Sequence, residues 1–418
     1  MKEEGNNEQL PEGWKWVRLG DVCKKIGDID HKMPKQETTG YPYVSTKDFT
    51  DDLKISFENA KYVSEEDYLN LSRKIKPERG DIIFPRYGTI GKNILIDFDK
   101  EFLVSYSCAV IKPDRDLVLS KYVYLYSLSP KIWEEIRKYI VETTQANVGI
   151  SSIKRFEFPL PNIETQQAIV SKIEELFSEL DKGIENLRTA QQQLKTYRQS
   201  VLKWAFEGRL TNENVKDGEL PEGWKRVKIS EISKVVRGGS PRPAGDLRYY
   251  QGNIPFLKVA DVTNNVGMFL TTFQYTIKEA GLHKTRQIKP NTLLLSNSGA
   301  TLGIPKICMI DATINDGIAA FLDLDQRSNQ YLYYFWESKT RELRNINMGA
   351  AQPNLNTDLI KDYNLPYCSF EEQHKIVEGI ESRLSVADKM EESINESLQQ
   401  AEALRQSILK KAFVGKLI

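Results

Sequence analysis

Apolar residues follow two different rhythms along the chain. Between Glu164 and about Glu207, apolar or small side chains recur at Ile173, Leu176, Leu180, Gly183, Leu187, Ala190, Leu194, Tyr197, Val201 and Trp204. Steps of three and four residues alternate, which is the seam of a coiled coil. The stripe predicts one helix of roughly 44 residues, about 65 Å long at about 1.5 Å per residue. A looser stripe through Ile376, Ile380, Leu384, Ala387, Ile394, Leu398, Ala401, Leu404 and Ile408 predicts a second, from Glu371 to about Phe413. Neither helix can hide its stripe alone. Packing the two antiparallel buries both; the alternative is a coiled coil between separate chains.

Ahead of each helix the rhythm changes. Residues 14–30 and 41–112 mix short apolar runs with Gly, Pro and Asp, the pattern of strands and turns. Asp81–Phe84 and Asn93–Ile96 read as strands flanking a turn at Tyr87–Gly91, and Leu293–Ser296 and Lys306–Ile310 are their counterparts. Ser120–Tyr139 and Asn329–Asn345 have helical spacing and many aromatics, read here as packed core. Each globular part is therefore a mixed α and β domain.

The counterparts belong to an internal repeat, one duplication rather than a solenoid. Leu10-Pro-Glu-Gly-Trp-Lys-Trp-Val-Arg-Leu19 returns as Leu220-Pro-Glu-Gly-Trp-Lys-Arg-Val-Lys-Ile229. Tyr41-Pro-Tyr-Val-Ser-Thr-Lys-Asp48 answers to Ile254-Pro-Phe-Leu-Lys-Val-Ala-Asp261, and Gln145-Ala-Asn147 to Gln352-Pro-Asn354. The helices agree best: Gln166, Ile169, Val170, Ile173 and Glu174 match Gln373, Ile376, Val377, Ile380 and Glu381 at one constant offset. Both helices close alike, with Arg198-Gln-Ser-Val-Leu-Lys-Trp-Ala-Phe-Glu-Gly208 and Arg405-Gln-Ser-Ile-Leu-Lys-Lys-Ala-Phe-Val-Gly415. The intervening domains differ in spacing and in most residues, so the helices read as a shared frame and the domains as divergent cargo. Helix one would end near the start of the second domain and helix two would return toward the first. That predicts a pseudo-twofold arrangement with the domains at opposite ends of a ruler.

Composition changes this picture little. The formal net charge is zero, which leaves nucleic-acid binding open because a basic face can be balanced by acidic helices. No apolar run approaches the roughly 20 residues of a membrane span, and the polar Met1–Glu8 segment carries no secretory signal, so a cytoplasmic protein is expected. Cys23, Cys108, Cys308 and Cys368 lie far apart and read as reduced structural thiols, with no metal site. Only three histidines are present, each alone, and no nucleophile–base or paired-carboxylate pattern stands out. Asn364-Leu-Pro-Tyr367 is superficially like the Asn-Pro-Pro-Tyr loop of amino-methyltransferases but reads as a strand leading into the second helix.

Two Gly-rich turns remain. Gly88-Thr-Ile-Gly91 and Gly299-Ala-Thr-Leu-Gly303 fit neither a dinucleotide fingerprint nor a P-loop. Arg86, Tyr87, Thr89 and Lys92 surround the first; Asn297, Ser298, Thr301 and Lys306 surround the second, with Lys92 and Lys306 taken as equivalents. These side chains suit phosphate anchoring and base-edge hydrogen bonding. Lys47 and Lys258, in the repeated segments that end at Asp48 and Asp261, join them as candidate DNA contacts.

The order of these motifs resembles the specificity subunit of Type I restriction-modification systems, over nearly the whole chain. Leu160-Pro-Asn-Ile-Glu-Thr-Gln166 and Leu365-Pro-Tyr-Cys-Ser-Phe-Glu-Glu-Gln373, each opening a long helix, carry the likeness together with the Arg-Gln-Ser-x-Leu-Lys-x-Ala-Phe-x-Gly endings. The resemblance implies an α+β protein with two target recognition domains, at residues 1–163 and 209–370, and helical spacers at 164–208 and 371–418. Each domain would read one half of a bipartite, asymmetric double-stranded DNA site. The helices would set the unread spacer and dock two modification subunits, which would carry S-adenosylmethionine; restriction subunits would join that core. This chain itself would hold no cofactor and catalyse nothing. The second turn lacks the Arg-Tyr of the first. Two other readings compete: a stand-alone DNA methyltransferase or nuclease, which needs a cofactor or metal motif, and a coiled-coil scaffold joining two protein-binding domains, which leaves the polar turns unexplained.

Overall fold

The computed structural model describes residues 10–29, 33–140, 146–212, 214–216, 218–299, 301–346 and 355–418. Gln145, Gln352 and Asn354 of the repeat, and the Met1–Glu8 segment, lie outside them. The chain divides into two compact units, one of Met1–Arg188 with Asn395–Ile418, the other Thr189–Ile394. The division falls inside both long helices, so each unit contains one globular part and a segment of each helix.

In the first unit the described strands are β1 (Lys15–Arg18), β2 (Cys23–Gly27), β3 (Tyr41–Val44), β4 (Lys61–Val63), β5 (Ile82–Pro85), β6 (Ile94–Leu95), β7 (Leu103–Val104), β8 (Cys108–Pro113) and β9 (Glu157–Leu160). An antiparallel sheet has the order β2-β8-β5-β6, a second has the order β4-β3-β7, and β1 pairs with β9. Every residue of β5 is buried, as a continuous Ile-Ile-Phe run between covered faces requires. The expected helix over 120–139 is two, Ser120–Ser127 and Pro130–Tyr139. Pro130 has no N–H to continue the ladder and starts a new helix instead.

The second unit repeats the plan with β10 (Lys225–Lys228), β11 (Lys234–Arg237), β12 (Tyr250–Leu257), β13 (Phe269–Leu270), β14 (Thr276–Ile277), β15 (Arg286–Ile288), β16 (Thr292–Ser296), β17 (Pro305–Cys308), β18 (Ala312–Ile314), β19 (Ile318–Leu322) and β20 (Asn364–Tyr367). Its sheets have the orders β11-β19-β16-β17-β13, β14-β12-β18-β15 and β10-β20. Asn364–Tyr367 is thus a strand before the second long helix.

The long helices run Ile163–Phe206 and Phe370–Ala412, within a residue of the expected bounds. Each is tied to its own domain by a buried glutamine near its start. Gln166 donates Nε2 to Pro161 O and Gln373 donates Nε2 to Cys368 O, both at 3.0 Å. Within the first unit Arg405 pairs with Asp181. Within the second, Arg198 reaches Asp388 at 2.6 Å and Glu391 at 2.9 Å, while Leu210 lies against Gly379. Partner numbers fall as the first helix advances, so the two helix segments are antiparallel.

The far end of each helix closes a core. Ile408, Leu409, Ala412 and Phe413 join the first unit's core, where the Phe413 ring lies 5.2 Å from both Tyr122 and Tyr126. Val201, Ala205 and Phe206 do the same in the second, with Phe206 5.1 Å from Tyr331. Tyr122 and Tyr331 donate their hydroxyls to Pro159 O and Pro366 O at 2.8 and 2.7 Å, so the aromatics serve the core. Four seam assignments fail. Gly183, Tyr197, Trp204 and Leu404 are exposed, and Ala205 and Phe206 are buried in place of Trp204. A helix of about 3.6 residues per turn drifts against a seam of about 3.5, and at its end the first helix meets a domain as well as the other helix.

Candidate nucleic-acid interface

In the first unit β5 delivers Arg86 to the start of the Gly-rich turn. Gly88 and Gly91 have φ of +68° and +97°, a region that favours glycine, and a Cβ on Gly91 would lie 2.5 Å from the Trp133 ring. Arg86 turns inward. Its side chain is 7% exposed, pairs with Asp28, and donates Nε to Val148 O at 2.9 Å. The expectation of a surface phosphate anchor at Arg86 gives way to a buried clasp joining the ends of β2 and β5 to the chain at Val148. The guanidinium is kept inside because Asp28 neutralises it and the carbonyls of Val148 and Tyr106 accept from it.

The neighbours of Arg86 face outward. Tyr87 is half-buried, with the Arg86 guanidinium carbon 5.2 Å from its ring; Thr89 and Lys92 are exposed. Lys92 Nζ lies 3.3 Å from Asp51 Oδ1, an exposed pair that a phosphate can displace at a cost of about 1 kcal/mol or less. Lys47 is exposed on the short 3-10 turn Thr46–Asp48, whose start is held by Ser45 N donating to Asp48 Oδ2 at 2.8 Å. Asp51 therefore connects the Lys92 turn to the segment that carries Lys47.

At the head of its turn the second unit repeats the backbone bonds with other side chains. Arg86 N donates to Ser107 O at 2.8 Å and its O accepts from Val148 N at 3.0 Å; Asn297 N donates to Gly317 O at 2.9 Å and its O accepts from Leu355 N at 2.7 Å. Asn297 therefore occupies the position of Arg86. It is fully buried, and among the described residues neither Oδ1 nor Nδ2 has a hydrogen-bond partner. Gly299 and Gly303 repeat the positive φ of Gly88 and Gly91.

Lys306 departs from its expected place. It pairs across the sheet with Leu294, as Ile94 pairs with Ile83, so it is the counterpart of Ile94 and not of Lys92. It is buried, its ammonium donates to Gly267 O, and burial lowers its pKa. Sequence spacing could not show this, because only cross-strand register settles which residues of two unequal turns are equivalent. Ser298 and Thr301 are half-buried. Lys258 is half-buried, with Nζ 3.5 Å from the Tyr275 ring centroid and its own N–H donating to Asp261 Oδ2 at 2.8 Å, as Ser45 does to Asp48.

A second group of cations was missed in the sequence. The loop after β11, Arg237-Gly-Gly-Ser-Pro-Arg-Pro-Ala-Gly-Asp-Leu-Arg-Tyr-Tyr250, exposes Arg237, Arg242 and Arg248. Lys284 Nζ lies 4.0 Å from the Tyr249 ring and the Arg248 guanidinium 5.5 Å from it. Arg248 grips Asp246 through Nη2 at 2.6 Å, and that hydrogen bond holds the Asp246 carboxyl down at about 2. The signal was a Gly/Pro-rich run dotted with arginine. It escaped because a search for repeated segments passes over one that does not repeat. Among the described residues no group of His, Cys, Asp and Glu could hold a metal ion, and burial pushes the Cys23, Cys108 and Cys368 thiols up to about 12.

One scaffold used twice, with different polar residues at equivalent places and cations on exposed loops, defines a duplicated binding protein. The Type I restriction modification DNA specificity domain model matches residues 11–188 and again 221–400, and the chain belongs to that family. It is 28% identical over 316 residues to the specificity subunit of the EcoBI Type I restriction enzyme of Escherichia coli, a match covering 70% of this chain and 65% of that one. Two solved structures share the fold. A chain from a study of complex assembly and conformational transition in a type I R-M system is 22% identical, with a TM-score of 0.73 over 98% of this chain and 99% of that one. The HsdS subunit from Thermoanaerobacter tengcongensis is 23% identical, with a TM-score of 0.60 over the whole of both chains.

Proposed function

We propose that this chain is the DNA sequence-recognition subunit of a Type I restriction-modification complex. Each unit would read one half of a bipartite, asymmetric site in double-stranded DNA, and the chain would contribute recognition rather than catalysis. The observation that carries this reading is the exchange of polar side chains at places where the two units share the same backbone bonds and strand register. Arg86 is replaced by Asn297, and the sheet registers place Arg237 where the first unit has Asp28. Two related folds that differ in such groups suit two different half-sites, since bases are told apart by hydrogen-bonding edges while the scaffold sets position.

In this reading the long helices set the spacer and dock two modification subunits, which carry S-adenosylmethionine and the methyl transfer. Restriction subunits complete the assembly in the cytoplasm. The matched helix sequences have a reason, because both would meet copies of one partner. Methylome sequencing of cells expressing the neighbouring modification subunit, with and without this chain, tests the proposal. Methylated adenines in a split motif with a fixed gap, present only with the chain, support it and name both half-sites. An assembled complex that adds no methylation would refute it and leave the scaffold reading.

A further inference from the structure

The loop Gly238–Tyr249 of the second unit is unusually well held for an exposed, Gly/Pro-rich segment. Its first residues cannot carry side chains, since a Cβ on Gly238 would lie 2.2 Å from Asn315 O and one on Gly239 2.5 Å from Lys284 O. Their N–H groups donate to Ile318 O and Ile314 O, each at 3.0 Å. Tyr250 donates its hydroxyl to Pro241 O at 2.8 Å, and Lys284 and Lys278 donate Nζ to Arg242 O at 3.3 Å and Leu247 O at 2.8 Å. At the centre of the loop's base is Asp316. Its Oδ1 accepts from Ser240 Oγ at 2.6 Å, its Oδ2 lies 3.5 Å from Arg242 Nη2, and its backbone O accepts from Arg237 Nε.

Among the described residues, the first unit has other groups at the equivalent places. Matching backbone bonds make Tyr106 the counterpart of Asp316, and sheet register makes Asp28 the counterpart of Arg237. The carbonyl of Tyr106 accepts from Arg86 at 3.4 Å, so each unit brings a guanidinium to the same carbonyl, from a different strand. In the first unit that guanidinium is buried with its carboxylate; in the second the arginine is exposed and the carboxylate holds a loop.

From this we infer that Gly238–Tyr249 is a preorganised clamp on the DNA sugar-phosphate backbone at the second half-site, and that Asp316 is its positioning residue. The inference rests on the proposed role in DNA recognition. Arg237, Arg242, Arg248, Lys278 and Lys284 outnumber Asp246, Glu279 and Asp316 around the loop, which favours a polyanion. Arg242 and Arg248 are 71% and 72% exposed, so phosphates can approach them from solvent where they stand, held by Asp316 and Asp246. Phosphate is favoured over base edges because Arg248 already spends its Nε and Nη2 on Asp246, leaving point charge rather than the free fork that reads guanine. A loop anchored in advance loses little conformational entropy on binding.

The test uses the complex of the full chain with its modification subunits. The probes are a duplex carrying the split motif found by methylome sequencing and a scrambled duplex of equal length. Binding is measured as salt is raised from about 50 to about 200 mM. The double variant Arg242→Ala/Arg248→Ala should flatten the log–log salt dependence by about 2, at about 0.9 per phosphate contact, with the methylated motif unchanged. Asp316→Ala should flatten it in the same direction, with hydrogen exchange in β16 and β19 unaltered; Asp316→Asn, which still accepts from Ser240, should restore part of it. An unchanged slope in the double variant overturns the clamp. An altered second half-site overturns the phosphate assignment, because the loop would then be reading bases. Lower affinity at an unchanged slope for Asp316→Ala overturns its positioning role. A wild-type complex that binds both duplexes alike overturns the recognition reading, and this inference with it.

Discussion

Replacing Arg86 by Ala should damage the fold of the first unit before it touches DNA. Arg86 and Asp28 are 7% and 9% exposed as side chains, so removing the guanidinium leaves a buried carboxylate facing an apolar core. Breaking a buried pair by deleting one partner costs about 3–5 kcal/mol. The Nε bond to Val148 O goes as well, which adds about 1 kcal/mol. Against this, Lys74 Nζ stands 3.3 Å from Asp28 Oδ1 and is 46% exposed, so a cation and a path to water remain. The lower end of the range, about 3 kcal/mol, is therefore expected. At about 1.4 kcal/mol per tenfold, hydrogen exchange of amides in β5 and β8 should accelerate by about two orders of magnitude. β16 and β19 in the second unit serve as the internal reference, since the buried residue at the equivalent place there is the uncharged Asn297. Exchange in β5 and β8 that changes by less than about threefold would refute the clasp. So would equal acceleration in both units. DNA binding that falls in step with this local opening needs no direct contact by Arg86.

Three further outcomes follow from the same geometry. Lys306→Met should leave the complex's DNA affinity within about twofold, because the ammonium is buried on Gly267 O and burial already disfavours its charge; a tenfold loss in a binding titration would put Lys306 on the DNA. Phe413→Ala should cost the first unit about 3–5 kcal/mol, a fully buried ring lost from between Tyr122 and Tyr126, read as faster exchange in Ser120–Ser127 with the second unit unaffected. The Asp246–Arg248 pair should be insensitive to mild acid. A carboxyl depressed to about 2 contributes stability that is present above its unfolded value of about 3.9 and lost only as pH falls through about 2. Hydrogen exchange at Arg248 and Tyr249, corrected for the intrinsic pH dependence, should therefore be the same at about pH 7 and about pH 5. A marked increase in protection-corrected opening at the lower pH would refute the pairing.

Local periodicity determined much of this protein. The two long helices, their bounds and the duplicated mixed domains all follow from apolar spacing and repeated segments, because a stripe at helical spacing has only one economical way to be buried. The equivalence of Arg86 and Asn297 was legible for a related reason: a glycine-rich turn after a buried strand keeps its place in a repeat. Tertiary structure decided what those residues do. Which way Arg86 points depends on Asp28, 58 positions earlier in sequence, and no local pattern reports that a carboxylate waits inside. Lys306 lost its supposed equivalence to Lys92 because cross-strand register, set by long-range pairing, assigns it to the place of Ile94. Trp204 left the seam because a helix end answers to the domain it meets as well as to its own period. The cationic loop was written plainly in the sequence, but its anchoring by Asp316, more than sixty residues further on, became visible only when the strands that carry both were brought side by side.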